Sequence, residues 1–426
     1  MADDNTPSDD STNPFEGFGM FGMPMFGDLS KMLGDQGPLN WDAARQFAVL
    51  SASGDPAAGM AGMMGAASGP SGNQPAVTGS PNIDPAVRIK YEELTEIVRP
   101  QIADVMGLDV PTVDTSVATP EQWATQTLEA YRPLFTDLAT SLGGGDANLP
   151  DGADGDPMAQ MLMGLTKMMA PAMMGMSVGS MVGSLARRAF GVYDLPIPRA
   201  TAALVIVPPT VDAFAEEWSI DVDEMRLWVL AHEIAGLALL SVPHVADHLR
   251  SLVQQHVGAF RPDPNSLTEK LTNLDVDPTS GGNPFDAIQQ AFGDPEVLLG
   301  AVRSDEQLSL EPALDAAVAT TIGVIDWVVD AVAVRLIGGD TLQIAEAVRR
   351  RRADTSPDDV FVQRLLGIRL GAEQTDRGKA FIQGVVDRAG EAGLSLLFSN
   401  AEAMPTPNEI EAPGLWLARV NPASLD

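Results

Sequence analysis

His232 and Glu233 are neighbours in the run Trp228-Val-Leu-Ala-His-Glu-Ile-Ala-Gly236, and this pair is where the chain comes nearest to chemistry. A helix carrying His-Glu-x-x-His puts two imidazoles on one face, where they grip a metal ion. The glutamate between them then takes a proton from the metal-bound water. Here the first histidine and the glutamate stand in place, but the second histidine position is Gly236. A catalytic zinc takes three protein ligands and a water, so one imidazole does not hold it. Without the ion, nothing lowers the water pKa for Glu233 to exploit. A buried Glu233 would then have a raised pKa or pair with an arginine, such as Arg226 two turns earlier. Gly236 costs a helix about 1 kcal/mol relative to alanine. It also leaves room where a metal-bound imidazole would sit.

All four histidines of the chain, His232, His244, His248 and His256, fall in one short region. His244 and His248 are four apart and follow Pro243, a natural helix start. Two imidazoles at that spacing can share a metal, so an active zinc site with His232, His244 and His248 as ligands and Glu233 as base is one reading. The other is a plain amphipathic helix face, since Pro243 sets the pair on a separate helix. Arg349-Arg-Arg-Arg352 is flanked by Asp354, Asp358 and Asp359. It reads as a solvated helix end complementing the dipole, not as a nucleic-acid surface. No nucleophile elbow, Walker A loop or dinucleotide fingerprint appears in a fitting context.

Composition narrows the classes further. The chain has 426 residues, 45% apolar, with 58 acidic and 26 basic side chains and a formal charge of −32. Such a field repels nucleic acid and anionic membranes. There is no cysteine, which removes disulfides, thiolate metal sites and thiol nucleophiles. Met1-Ala-Asp-Asp-Asn-Thr-Pro has neither a basic n-region nor an apolar h-region, so a cytoplasmic location is expected.

The elements that must position these residues are mostly helices. Residues 1–38, rich in Gly, Met, Phe and Pro, read as a disordered arm, and 51–84 as a flexible linker. Between them, 39–50 holds a short helix capped by Asn40, with Trp41, Ala44 and Phe47 on one face. Helices are expected through Tyr91, Leu94 and Ile97, and through Trp123, Leu128 and Leu134. The run after Leu142 breaks the chain. Met158 to Phe190 is the most apolar segment and approaches a membrane span in length, but Lys167, Pro171 and several serines favour a core helix. Gly175, Gly179 and Gly183 give it a smooth strip for close helix approach. Leu204-Val-Ile-Val207 is the clearest strand. Asp221 and Glu224 form a capping box for a helix to about Leu240, apolar around most of its circumference. Further helices follow at about 243–257, 284–302, 310–337, 341–352, 358–369 and 374–390. The fold class is thus mainly α with little β-structure, its ordered body spanning 85–426.

The sequence also resembles a zincin-like, zinc-dependent metallopeptidase family common in actinobacteria, some members of which are described as associated with coenzyme F420 biosynthesis. The similarity is carried by Gly37-Pro-Leu-Asn-Trp-Asp-Ala-Ala-Arg45, by Gly179-Ser-Met-Val-Gly183 and by Tyr193-Asp-Leu-Pro-Ile-Pro-Arg199. Val211 to Trp218, the His232-Glu233 helix, Asp326-Trp-Val-Val-Asp330, Met404 to Glu411 and Trp416 to Arg419 add to it. The resemblance implies an α-rich zincin-like body in which His232 is a zinc ligand and Glu233 the general base. It further implies a third ligand, a glutamate in a Glu-Gly-x-x-Asp context; here that segment is Ile322-Gly-Val-Ile-Asp326, so the position is Ile322. With Gly236 and Ile322 both ligand-free, the expectation is a catalytically degenerate member without zinc, serving as a scaffold for a peptide or protein partner, with neither nucleic acid nor membrane involved.

Overall fold

The computed structural model describes residues 37–54, 82–143, 157–261, 304–339, 341–353, 362–363 and 365–421. Nearly all of the N-terminal arm, most of the 51–84 linker, most of the break after Leu142, the expected helix 284–302 and the start of 358–369 lie outside the described residues.

The fold is mainly α. In chain order come α1 (Trp41–Ser53), α2 (Pro85–Met106), β1 (Thr115–Val117), α3 (Pro120–Ala130), α4 (Arg132–Gly143), α5 (Pro157–Ala186) and β2 (Leu204–Ile206). Next are α6 (Pro208–Glu217), α7 (Val222–Leu240), α8 (Pro243–Gly258), α9 (Asp305–Leu336), α10 (Thr341–Ala353) and α11 (Ala372–Ala389). A 3₁₀ segment (Glu391–Phe398) and the short α12 (Pro407–Ile410) and α13 (Pro413–Val420) close the described chain. Proline opens many of these helices because its fixed φ suits the first turn and its missing N–H is not needed there. The one expected helix through Trp123 and Leu134 is two, α3 and α4. Pro133, just inside α4, has no N–H to carry the helical ladder across the junction. The strands pair in parallel, Thr115 opposite Leu204.

α1 begins at Asn40, whose side chain accepts from the Ala43 amide at 2.9 Å. It buries Ala44, Ala48 and Ala52, leaving Trp41 and Phe47 half-buried, a shift from the face the apolar spacing suggests. The glycine strip of α5 is the cause. A Cβ at Gly175, Gly179 or Gly183 would lie 2.1 to 2.3 Å from the carbonyl oxygens of Asn40, Ala44 and Ala48. The backbones therefore touch directly, and only small residues fit the seam.

α7 and α9 form the centre of the body. From Trp228 to Leu240 every residue of α7 is buried, as its unbroken apolar circumference predicts. α9 crosses α11 where Gly323 faces Gly378, a contact so close that a Cβ on either would overlap backbone. Among the described residues α9 is long and apolar enough to cross a membrane, but 78% of its apolar window is buried inside the protein.

Candidate functional site

The site grows from the loop between α5 and β2, which lies across the middle of α7. Gly191 bridges to Ile206, the Val207 amide donates to the Phe190 carbonyl at 2.8 Å, and the Trp123 indole donates to the Gly191 carbonyl at 2.8 Å. Asp194 closes the turn from within: its Oδ2 accepts from the amides of Phe190 and Gly191.

Two glycines let this loop interlock with α7. A Cβ on Gly191 would lie 2.3 Å from the Glu233 carboxyl carbon, and a Cβ on Gly236 would lie 2.6 Å from Tyr193 Cβ and 2.7 Å from its Cγ. Gly236 is thus required by Tyr193, whose side chain occupies the volume a second histidine would need. The sequence reading foresaw room at Gly236 but not its occupant. That occupant lies in a loop some forty residues upstream, which periodicity does not place.

Glu233 is fully buried, and its carboxylate accepts the Tyr193 amide at 2.9 and 3.2 Å. Its Oε1 also stands 3.2 Å from His232 Nδ1. Burial pushes the Glu233 carboxyl above its ordinary range, and the contact with His232 opposes this only in part. Arg226 is not its partner: that guanidinium pairs with Asp212 at 2.9 Å and Asp223 at 3.3 Å.

His232 stacks on Trp228 one turn earlier, ring centroids 5.7 Å apart. It faces a cavity of about 350 Å³ whose wall includes Asp194, Trp228, Ile322, Asp326 and Arg352. Ile322, the position expected for the third ligand, therefore does share a cavity with His232, and it brings an aliphatic surface there. Glu233 is not on that wall; it points beneath the loop. The arginine run at the end of α10 divides. Arg349 and Arg350 pair with Glu346 on the surface, as a solvated helix end should. Arg351 lies over the Phe190 ring at 3.7 Å, and Arg352 reaches the buried Asp326 at 2.6 Å. Burial alone would raise the Asp326 carboxyl; Arg352 and Lys379 outweigh it and hold that group below its ordinary value.

His244 and His248 do not join His232. They lie on α8, which leaves α7 at an angle of 89°. His244 Nε2 is 3.1 Å from the Leu397 carbonyl, and burial lowers the His248 pKa. Among the described residues, the group able to offer three donor atoms within 4.8 Å of one another is Asp194, His232 and Glu233. Asp194 was missed as a ligand candidate; its signal was present only as part of the Tyr193-to-Arg199 motif.

This set does not fit the zinc ion of a His-Glu-x-x-His helix. The second imidazole's place is taken by Tyr193, and Ile322, the position expected for a third ligand, is aliphatic. Tetrahedral zinc would find one imidazole and two carboxylates here, not the two imidazoles of the motif.

Known proteins agree on the fold. A crystal structure from Chloroflexus aurantiacus, described as a candidate hydrolase with a novel fold, is similar with a TM-score of 0.55 and 21% identity, over 90% of this chain and 99% of that one. No curated protein matches. The profile of the zincin-like metallopeptidases matches residues 65–417, a span that takes in both the loop and the helices around the cavity. This chain therefore belongs to the zincin-like metallopeptidase family.

Proposed function

We propose that this chain is a catalytically degenerate member of its family that acts by binding, with a peptide or protein partner entering the cavity beside His232. The observation that carries this reading is the Tyr193 side chain packed on Gly236, where the family motif calls for a metal ligand. The sealed position of Glu233 supports it, because a general base must reach the water it activates. On this reading the glutamate is kept as a brace: it ties the loop to α7 through the Tyr193 amide. A cavity of about 350 Å³ lies within the size range of ligand sites. The narrower likeness to actinobacterial relatives associated with coenzyme F420 stays part of this proposal and names no substrate.

The convergence of Asp194, His232 and Glu233 favours a second reading, a hydrolase with a rearranged ligand set. Metal analysis of protein purified without chelators decides between them. The scaffold reading expects zinc far below one ion per chain, unchanged in His244→Ala and His248→Ala. Near-stoichiometric zinc that disappears in His232→Ala or Asp194→Asn would establish the rearranged site.

A further inference from the structure

The polar groups on the cavity wall are unevenly satisfied. Two of its carboxylates are engaged: Asp194 Oδ2 takes two loop amides, and Asp326 Oδ2 takes Arg352 Nη1 at 2.6 Å. The donors are not. The rest of the Arg352 guanidinium meets no acceptor among the described residues, and its side chain keeps 22% exposure where it joins the cavity wall. Trp228 Nε1 is buried with no acceptor, on a residue of the same wall. The neighbouring Arg369 is already committed to Glu311 and Asp315. Trp228 Nε1 is buried and the Arg352 guanidinium partly exposed, so an occupant that covers them must bring acceptors.

We infer that the cavity takes a carboxylate-bearing ligand, the free C-terminus of a peptide, with Arg352 as the group that receives the carboxylate. This rests on the reading of the cavity as a binding site and names what enters it. Asp326 holds one edge of the guanidinium and leaves the others presented, the geometry in which arginine makes paired bonds to a planar anion. Lys379, 3.8 Å from Asp326 and 3.1 Å from Asp330, sets a second cation beside the Asp326 carboxylate. Ile322, Ile325, Val348 and Leu370 supply apolar wall for the terminal side chain. The chain's net charge of −32 makes a local cation necessary if an anion is to settle anywhere on it.

Calorimetric titration of the full chain with acetyl-Ala-Ala-Phe, its C-terminal amide, 3-phenylpropionate and inorganic phosphate tests this. The free-acid peptide should bind and the amide should bind about tenfold more weakly or not at all. Phenylpropionate binding as tightly as the peptide would assign the site to small carboxylic acids and overturn the peptide part of the inference. Equal binding of acid and amide, equal competition by phosphate, or no binding of the free acid at millimolar concentration would overturn it entirely. Arg352→Gln should abolish binding. Because that change strands Asp326, Arg352→Gln/Asp326→Asn is measured beside it; a folded double variant with unchanged affinity refutes the role of Arg352. Zinc is assayed on the same preparation. Stoichiometric zinc sinks the scaffold reading, whereas zinc-free protein indifferent to the free acid sinks this inference alone.

Discussion

The two consecutive helices α7 and α8 carry all four histidines, yet they put them to opposite uses. On α7, His232 stacks on Trp228, touches Glu233 and faces a cavity walled by charged side chains. On α8, His244 meets the carbonyl of Leu397 in the 3₁₀ segment, His248 is half-buried with its charged form disfavoured, and His256 is core, its carbonyl taking a bond from Gln307 at 3.2 Å. Only α8 has two imidazoles at i,i+4, and only α7 has carboxylates drawn in from elsewhere in the chain. Ligand spacing on one helix is therefore not enough; a site needs donors converging from separate elements, and among the described residues none gathers on the α8 pair.

The sharpest way to test that contrast is to remove the charge on the α7 side. Arg352→Ala should destabilise the protein by up to about 3 kcal/mol by leaving the buried Asp326 with only the more distant Lys379 as a cation, with Arg352→Met/Asp326→Asn recovering much of the loss in urea denaturation. A loss equal to that of a surface arginine such as Arg349→Ala would mean the cavity pair is solvated. Next in size, Gly236→Ala should cost about 1–3 kcal/mol through overlap with Tyr193, against the gain of about 1 kcal/mol that alanine brings to a free helix. Because the closest atom is Tyr193 Cβ itself, the sign of this effect should reverse only in a Tyr193→Gly background; if it does not, Tyr193 is not what demands the glycine. That same background supplies the space for a metal site: Tyr193→Gly/Gly236→His/Ile322→Glu should acquire zinc affinity by equilibrium dialysis, and a folded variant that binds none removes Ile322 from the ligand assignment.

Asp326 also predicts a pH dependence. Its folded pKa is held below the ordinary value of 3.8, so its contribution is complete above that value and is lost as pH falls through the depressed one. Stability measured from neutral pH downward should fall more steeply below about pH 4 in the natural chain than in Arg352→Met/Asp326→Asn. Equal slopes would show that Arg352 does not hold the carboxyl down. The smallest effects belong to α8: His244→Ala and His248→Ala should each cost under about 1.5 kcal/mol, one hydrogen bond or a half-buried ring, and leave metal content unchanged. A drop in bound metal in either would break the contrast between the helices.

Much of this architecture was legible in the residues. Asn40, Asp221 and the prolines mark helix starts because capping and fixed φ act within one turn. α7 reads as buried because no polar stripe interrupts its circumference from Trp228 to Leu240. The glycine strip of α5 announced a close helix contact, though not that α1 would fill it, and so the buried face of α1 came out as Ala44, Ala48 and Ala52. The arginine run was legible only by half. Arg349 and Arg350 follow the helix-end rule, but Arg351 and Arg352 turn toward Phe190 and Asp326, partners far apart in sequence from α10.

The amino-acid sequence by itself determined that this is a cysteine-free, acidic, helical chain with one imidazole and one carboxylate of a metal motif and no second imidazole to complete it. Those are matters of composition and of spacing within a few residues, where local rules hold. Only the tertiary structure decided that Tyr193 fills the gap at Gly236, that Glu233 turns beneath a loop, and that Asp194, Asp326 and Arg352 gather around His232. These contacts join α7 to residues on a distant loop, on α9 and on α10, and which of them meet is set by how helices seat on one another across glycine seams, not by any period along the chain.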